Sequence, residues 1–272
     1  MKKRITVFLA FLLGLGMGAR ADAQEIEWDT LNDEIVSLYQ QGRYEHAIVV
    51  AKIALHVAVQ EVGPHHLNVA TSLNNLAELY SNQGNYAQAE QLYKRSLAIM
   101  ENTLGPDHSD VATNLNNLAV LHHTQGHFAQ AEQLYKRSLL IRKNAFGPDH
   151  PDVAMSLNNF AELYRIQGRY RLAEPLYQRS LAILENALGP DHPDVATTLN
   201  NLALLYHTQN RYKQAEPLYQ RSLTIREKVL APDHPDVATN LENMADLYRK
   251  TGKNKTAKAL EKRAAAIRAT QR

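Results

Sequence analysis

The sequence predicts an all-α fold, a solenoid of six antiparallel helical hairpins. Three observations support this prediction. A 42-residue period runs through the chain, and residues 153–194 and 195–236 are identical at 28 of 42 positions. Each period contains two stretches with the apolar spacing of a helix. Turn residues separate these stretches, and a period of this length is typical of stacked repeats.

The repeat register covers almost all of the chain after its first residues. The same valine recurs every 42 residues at Val69, Val111, Val153, Val195 and Val237. We therefore predict one solenoid over residues 24–270. Its units span about 27–68, 69–110, 111–152, 153–194, 195–236 and 237–268.

The second unit shows why each repeat should form two helices. Leu73, Leu76, Ala77 and Tyr80 follow i, i+3, i+4, i+7 spacing and mark one apolar helix face. A second stretch of the same kind follows, and a glycine ends the first helix in five units, where a left-handed residue is expected. In the fifth unit Asn210 takes this place, and asparagine is the residue that best tolerates that conformation after glycine.

The phrase that begins each hairpin also has a structural interpretation. His-Pro-Asp precedes three of the first helices, and proline suits the first helical position because it has no amide hydrogen to leave unbonded. The aspartate should complement the helix dipole. Alanines at one recurrent point of each helix predict a close approach of the paired helices. On the first helices they are Ala77, Ala119, Ala161, Ala203 and Ala245.

The spacing of Leu76-Ala77, Tyr80, Ala89 and Tyr93 resembles that of tetratricopeptide repeats across essentially the whole chain after residue 23. The 42-residue period and the phrase Leu-Asn-Asn-Leu-Ala are similar to the kinesin light chain type. This resemblance implies a right-handed superhelix with a concave groove lined by first helices, a role in binding proteins or peptides, and no catalysis. Kinesin light chains carry a coiled coil before the repeats, which this sequence lacks, so a motor-cargo role is not implied.

Residues 1–23 have the pattern of a secretory signal peptide of bacterial type. A basic start, Lys2-Lys3-Arg4, precedes an apolar run from Ile5 to Ala19 that is short for a membrane anchor. Cleavage is expected after Ala23 or, alternatively, after Ala21. We therefore expect an exported protein, periplasmic or secreted, with no integral membrane segment once the leader is removed.

Charge is distributed unevenly along the remaining chain. Residues 24–248 carry 17 bases and 26 acids, whereas residues 249–272 carry nine bases and one acid. The basic tail has three interpretations: a soluble cap of the last hairpin, which a solenoid needs, a dock for an acidic partner or anionic lipid, or a contact with the acidic body of another copy.

The exposed face of the first helices should line the groove. Two asparagine rows follow this face, and their amides can each donate and accept a hydrogen bond, as the backbone of an extended peptide requires. We expect the first row to contact ligand, and the second row either to do so or to bond between repeats. The first row contains Asn74, Asn116, Asn158 and Asn200, and the second Asn75, Asn117, Asn159, Asn201 and Asn243.

Selectivity should come from groove positions that differ between repeats. One such row can be acidic or apolar, and the other is basic or becomes so when histidine is protonated. The first row is Glu78, Val120, Glu162, Leu204 and Asp246, and the second is Ser81, His123, Arg165, His207 and Arg249. The lysines that some tetratricopeptide proteins use to clamp a C-terminal carboxylate are missing at the equivalent positions.

Several other kinds of chemistry lack support in the sequence. There is no cysteine, no HExxH, no glycine-rich phosphate loop and no GxSxG, so we predict no enzyme and no cofactor. The recurrent Asp-His pairs before the helices are interpreted as helix starts and not as metal ligands. The acidic body opposes binding to nucleic acid. The predicted function is therefore an exported protein-binding scaffold, with self-association in an envelope complex or attachment to a membrane surface as alternatives.

Overall fold

The computed structural model describes residues 27–270, and helices are the regular structure of this part of the chain. The all-α prediction is confirmed, because twelve helices and no strand are found in the described range. The predicted signal peptide over residues 1–23 lies outside that range. Within it, no helix combines the length and the apolar character needed to cross a membrane.

Contacts divide the chain into two compact units, Met1–His127 and Phe128–Arg272. The sequence predicts one solenoid over 24–270, and the division falls between the two helices of the third repeat. The helices of the first unit are α1 (Trp28–Gln40), α2 (Tyr44–Val62), α3 (Leu67–Asn82), α4 (Tyr86–Leu104) and α5 (Ser109–Thr124). Each packs against the next, and α3 also contacts α5.

The second unit contains seven helices in the same arrangement. They are α6 (Phe128–Phe146), α7 (Pro151–Ile166), α8 (Tyr170–Leu188), α9 (Pro193–Thr208), α10 (Tyr212–Val229), α11 (Pro235–Lys250) and α12 (Asn254–Ala269). Helix α9 contacts α7 on one side and α11 on the other, so first helices of consecutive repeats lie side by side. This contact creates the face on which the predicted groove residues lie.

The turn inside each hairpin has the predicted left-handed residue. In the fourth repeat Gly168 has φ +71°, and the following amide of Arg169 donates to the carbonyl of Tyr164 over 2.8 Å. In the fifth repeat Asn210 takes the same conformation with φ 59°. These bonds satisfy carbonyls at the helix end that have no partner within the helix.

Histidine side chains cap the first helices of repeats two to six. In each case the imidazole Nδ1 accepts a hydrogen bond from the backbone amide two residues later, for example His192 from Asp194 over 3.2 Å. The described residues contain no group of three or more potential ligands placed to hold a metal ion. These hydrogen bonds place the histidines of the Asp-His phrases at the helix starts, as predicted. The prediction from sequence emphasised the proline and the aspartate, whereas the histidine itself accepts the capping hydrogen bond.

Small residues let the helices approach closely. Ala161 and Ala173 are fully buried, and the hydroxyl of Ser180 on α8 donates to the carbonyl of Ala154 on α7 over 2.7 Å. The core of this region continues into the next hairpin through Val195 and Leu199. The hairpins therefore share one core with their neighbours inside each unit, and this shared core places the first helices in a common layer.

Candidate functional site

Asparagines of consecutive first helices bond to one another across the predicted groove face. In each pair, Nδ2 of the second-row asparagine donates to Oδ1 of the first-row position one repeat earlier, and the donor is 43 residues after the acceptor. The pairs are Asn75 to Asn32 (3.0 Å), Asn117 to Asn74 (3.3 Å), Asn201 to Asn158 (3.2 Å) and Asn243 to Asn200 (3.1 Å).

These pairs, called rungs below, give both rows a structural role. Bonding between repeats, one of the two alternatives for the second row, is what the structure shows for four of its members. The first row was expected to contact ligand, yet its carbonyl oxygens are engaged by the next repeat. Asn116 and Asn200 are also almost buried, with 9% and 6% of their surface exposed. Ligand contact by the first row stays a prediction.

Each rung still has hydrogen-bonding capacity. In the rung between Asn158 and Asn201, the bond uses one oxygen and one nitrogen, and Oδ1 of Asn201 also accepts from Asn200 over 3.5 Å. Each amide still has a second oxygen lone pair and a second hydrogen to offer. Both side chains are half-buried, so one edge of the pair reaches solvent. Asn159, the second-row residue that follows Asn158 on α7, is half-buried as well. The rungs can therefore orient amide groups toward a bound chain while they join the repeats.

A tyrosine from the second helix supports the groove residues of the fourth repeat. Glu162 and Arg165 on α7 form a two-bond ion pair with N–O distances of 2.6 and 2.7 Å. The fully buried Tyr177 on α8 donates its hydroxyl to the same carboxylate over 2.6 Å. Burial and the adjacent carboxylate raise the pKa of Tyr177, so the phenol stays protonated and remains a donor.

The second repeat has a similar acid above a tyrosine. Glu78 lies near Tyr39 of α1 and Tyr93 of α4, and desolvation raises the pKa of its carboxyl although part of the side chain is exposed. Burial raises the pKa of Tyr93 well beyond its usual range. The third repeat has an apolar residue, Val120, in place of this acid, and its His123 is half-buried.

The fifth repeat keeps the tyrosine but lacks the acid. Tyr219 is fully buried, and its hydroxyl has no hydrogen-bond partner in the described part of the chain. The equivalent of Glu162 is Leu204. His207 stands against the Tyr219 ring, edge to face at 6.3 Å between centroids, and its Nε2 lies 3.4 Å from Oδ2 of Asp246 on α11. Burial lowers the pKa of His207, and Asp246 offsets part of this effect.

The predicted basic row is largely neutralised by pairing inside the chain. Arg165 pairs with Glu162, and Arg249 pairs with Glu261 on α12. His207 is almost buried, and the lowered pKa favours its neutral form. Sequence spacing does not show which acids lie beside these bases, and the basic lip along the groove stays a prediction.

The basic tail is also partly paired with the acidic body. Lys253 bonds to Glu216 and Arg268 to Glu242, and Arg263 pairs with Glu227. With Arg249, whose partner Glu261 is itself in the tail, four of the eight tail bases within residues 27–270 are thus engaged. The interpretation of the tail as a cap on the last hairpin gains support, whereas docking to lipid or to another copy stays a prediction.

A second set of contacts joins the repeats near the hairpin turns and was not predicted from the sequence. Glu174 on α8 accepts from Arg211 over 2.7 Å and from the Tyr206 hydroxyl over 2.9 Å, and the guanidinium lies 4.2 Å from the centre of the Tyr206 ring. The same arrangement joins Glu132, Arg169 and Tyr164 one repeat earlier. The acid lies 32 residues before the aromatic and 37 before the base, so a repeat-by-repeat alignment is needed to see the contact.

Comparison with known sequences identifies the family. A sequence model of the tetratricopeptide repeat matches residues 30–102, 74–144, 110–186, 152–228 and 212–270, which together cover most of the chain. The chain belongs to the tetratricopeptide repeat family. The fold of this family is typical of non-catalytic scaffolds for interactions between proteins. A comparison with curated proteins found no match.

Solved tetratricopeptide structures share the fold of this chain at low sequence identity. BtubC (BKLC) from P. vanneervenii is 23% identical, with a TM-score of 0.64 over 88% of this chain and 91% of that chain. Nearly identical TPR-like repeats of a kinesin light chain-like protein from Podosopora anserina are 24% identical, with a TM-score of 0.60 over 76% of this chain and 98% of that chain. A Rap protein complexed with competence and sporulation factor is 14% identical, with a TM-score of 0.67 over 90% and 76%. At these identities the likeness concerns the fold alone.

Proposed function

We propose that the chain is an exported, non-catalytic scaffold that holds an extended segment of a partner protein along its first helices. The observation that carries the proposal is the series of asparagine rungs on that face. A protein interior normally buries apolar side chains at helix contacts. Here amides recur at the same place in repeat after repeat, at a cost in helix propensity, and they retain hydrogen-bonding capacity at the surface.

The chemistry of the face favours recognition of a peptide backbone. Amides can satisfy both the N–H and the C=O groups of an extended chain, and they need no particular side chain to do so. The ion pair of Glu162 and Arg165 is satisfied within the protein, so it contributes little net charge to the face. A Rap protein of the same fold has been solved with a bound factor, which supports the proposal at the level of the fold.

The rungs provide a matched pair of variants to test this function. Changing Asn74, Asn158 and Asn200 together to alanine removes three acceptors, and changing Asn117, Asn201 and Asn243 removes the three donors of the same bonds. Both triple variants lose the same hydrogen bonds, so their losses of stability should be similar.

The probe is a displayed library of random-sequence peptides, selected on protein purified after expression of the complete sequence. We expect the native protein to enrich peptides and the acceptor-side variant to lose them. The donor-side variant, compared at equal helicity and similar unfolding midpoint, should keep part of the binding. Failure of the native protein to enrich any peptide, or full binding by the acceptor-side variant, would contradict the proposal.

Export forms a separate part of the proposal. It rests on the basic start, the apolar run and the Ala21-Asp22-Ala23 signal. Expression of the complete sequence in a bacterium, followed by fractionation and N-terminal mass analysis, tests it. A chain beginning at Gln24 or Asp22 in the periplasm or medium is the expected result, and an unprocessed cytoplasmic chain would refute it.

A further inference from the structure

The fifth repeat interrupts a pairing that the fourth repeat completes. In the fourth repeat, the Tyr177 hydroxyl bonds to Glu162, which lies fifteen residues earlier. In the fifth, Tyr219 occupies the equivalent buried position, but the residue fifteen places earlier is Leu204. The hydroxyl therefore finds no acceptor within the described residues. A buried, unbonded hydroxyl costs free energy, so its retention at this point requires an explanation.

Three groove residues act on the Tyr219 side chain. Burial is the main factor that raises the pKa of Tyr219. The positive charge of Arg165 lowers this pKa, and the negative charge of Asp246 raises it. These two residues come from the first helices on either side, α7 and α11. The imidazole of His207, on the helix between them, lies against the ring and 3.4 Å from Asp246. The buried Tyr219 side chain thus lies against a groove residue of its own repeat and within the electrostatic reach of groove residues of the two neighbouring repeats.

The charges around this position determine what could bond to it. Glu162 neutralises Arg165 through two hydrogen bonds, and the lowered pKa of His207 favours the uncharged imidazole. Asp246 is then the acid that faces this position, 3.4 Å from His207, and Lys250 on the same helix is a second charge that acts on the imidazole. An incoming carboxylate would meet this negative charge in a partly desolvated place, which is unfavourable. A neutral acceptor avoids that repulsion.

The depth of the hydroxyl limits the choice further. Tyr219 has no exposed surface, so a peptide backbone held by the rungs could not reach its hydroxyl, whereas a side chain could enter if His207 turns aside. The entering group must accept from the phenol and should donate to Asp246. A primary amide does both, because it carries a carbonyl oxygen and an NH₂ group on one carbon.

We propose that Tyr219, Leu204, His207 and Asp246 form a subsite for the side-chain amide of a glutamine or asparagine in the bound peptide. The amide oxygen accepts from the Tyr219 hydroxyl, the amide nitrogen donates to the Asp246 carboxylate, and Leu204 packs against the methylene groups. This inference rests on the proposed function and adds the side chain that the groove selects. The fourth repeat lacks such a subsite because the equivalent hydroxyl, that of Tyr177, already donates to Glu162.

The test uses peptides that the native protein has selected from the random library. Each glutamine or asparagine of a selected peptide is replaced in turn by the matching acid and by alanine, and dissociation constants are measured by fluorescence anisotropy. The protein variants are Tyr219→Phe, which removes the donor, and Leu204→Glu combined with His207→Arg, which copies the fourth repeat. Tyr177→Phe is the control, because it removes a hydroxyl that is already bonded.

We expect one amide position at which alanine weakens binding to the native protein roughly three- to tenfold, the loss of about one hydrogen bond. The acid should weaken binding there by at least as much. Both effects should shrink in Tyr219→Phe, which keeps the bond from the amide nitrogen to Asp246, and should be lost in the double variant. They should persist in Tyr177→Phe. Asp246→Asn should reduce the discrimination between amide and acid.

The outcomes separate this inference from the proposed function. Selected peptides without an amide preference, or with a preference that is unchanged by Tyr219→Phe, would overturn the subsite while leaving peptide binding intact. Preference for the acid over the amide would overturn the charge argument. If the native protein selects no peptide at all, the proposed function fails and the subsite fails with it.

Discussion

Two tyrosines at equivalent places in consecutive repeats should respond in opposite ways to removal of their hydroxyls. Tyr177 and Tyr219 are both fully buried on the second helices of their hairpins. The Tyr177 hydroxyl donates to the Glu162 carboxylate over 2.6 Å, whereas the Tyr219 hydroxyl has no partner within the described residues. Replacing each by phenylalanine removes one oxygen and preserves the ring, so the two variants differ mainly in the bond lost.

The expected magnitudes follow from the state of each hydroxyl. A hydrogen bond to a charged group contributes about 1.5–3 kcal/mol, and Glu162 keeps its two bonds from Arg165 after Tyr177→Phe, so no charge is orphaned. We expect a loss of about 2 kcal/mol in the free energy of unfolding. Tyr219→Phe removes a buried polar atom that has no partner, so we expect no loss and a gain of up to about 1 kcal/mol.

Urea unfolding followed by circular dichroism measures both changes. The slope with denaturant should be the same in both variants and the native protein, because the buried area barely changes. In thermal unfolding, a loss of about 2 kcal/mol corresponds to a midpoint roughly 4–8 °C lower for a chain of this size. Equal destabilisation by the two substitutions would show that Tyr219 also has a partner, and the reasoning on both repeats would fail.

Three further perturbations test other contacts. His192→Ala should cost about 1 kcal/mol by removing the cap on the Asp194 amide, while His192→Asn should cost less because asparagine also caps; urea unfolding compares the two. Burial holds the pKa of His122 below its usual range, so its contribution to stability is present above pH about 6.5 and declines as the pH falls below that value. His122→Tyr should therefore flatten the unfolding free energy between pH 7 and 5, and an unchanged slope would contradict the assignment. Arg211→Ala should cost about 1 kcal/mol or less through its half-exposed pair with Glu174, and the cost measured by the same unfolding should shrink in high salt.

The fold could be predicted from sequence because its determinants are local and repeated. Apolar spacing marked both helices of each hairpin, and the left-handed turn residues, Asn210 included, lie where the pattern placed them. The capping histidines were only partly foreseen. Their place before each helix could be read from the sequence, but the known preferences for helix starts pointed to the proline and the aspartate beside them and not to the histidine. Turns and helix caps depend on a few neighbouring residues. Because each motif recurs in several repeats of this chain, its pattern can be recognised from one sequence.

The arrangement of the candidate site was harder to predict because it depends on contacts between repeats. Sequence spacing placed Asn158 and Asn201 on the groove face but could not show that their side chains bond to each other. It also missed the tyrosines beneath the face, because their apolar rings have the pattern of ordinary core residues. One signal was available: Glu162 and Tyr177 are fifteen residues apart, and the same offset recurs between Glu78 and Tyr93.

The contrast between repeats four and five explains how one face could combine general holding with local selection. In a repeat whose groove charges are paired within the protein, as Glu162 is with Arg165, a ligand finds only the surface shape and the free hydrogen-bonding groups of the asparagine amides. A repeat in which the pairing is broken leaves a buried donor that only a matching group can satisfy, and mismatched groups then carry a desolvation cost. Selectivity in such a solenoid should therefore reside in the repeats that depart from the internal pairing, of which the fifth, with Leu204 above Tyr219, is the clearest case.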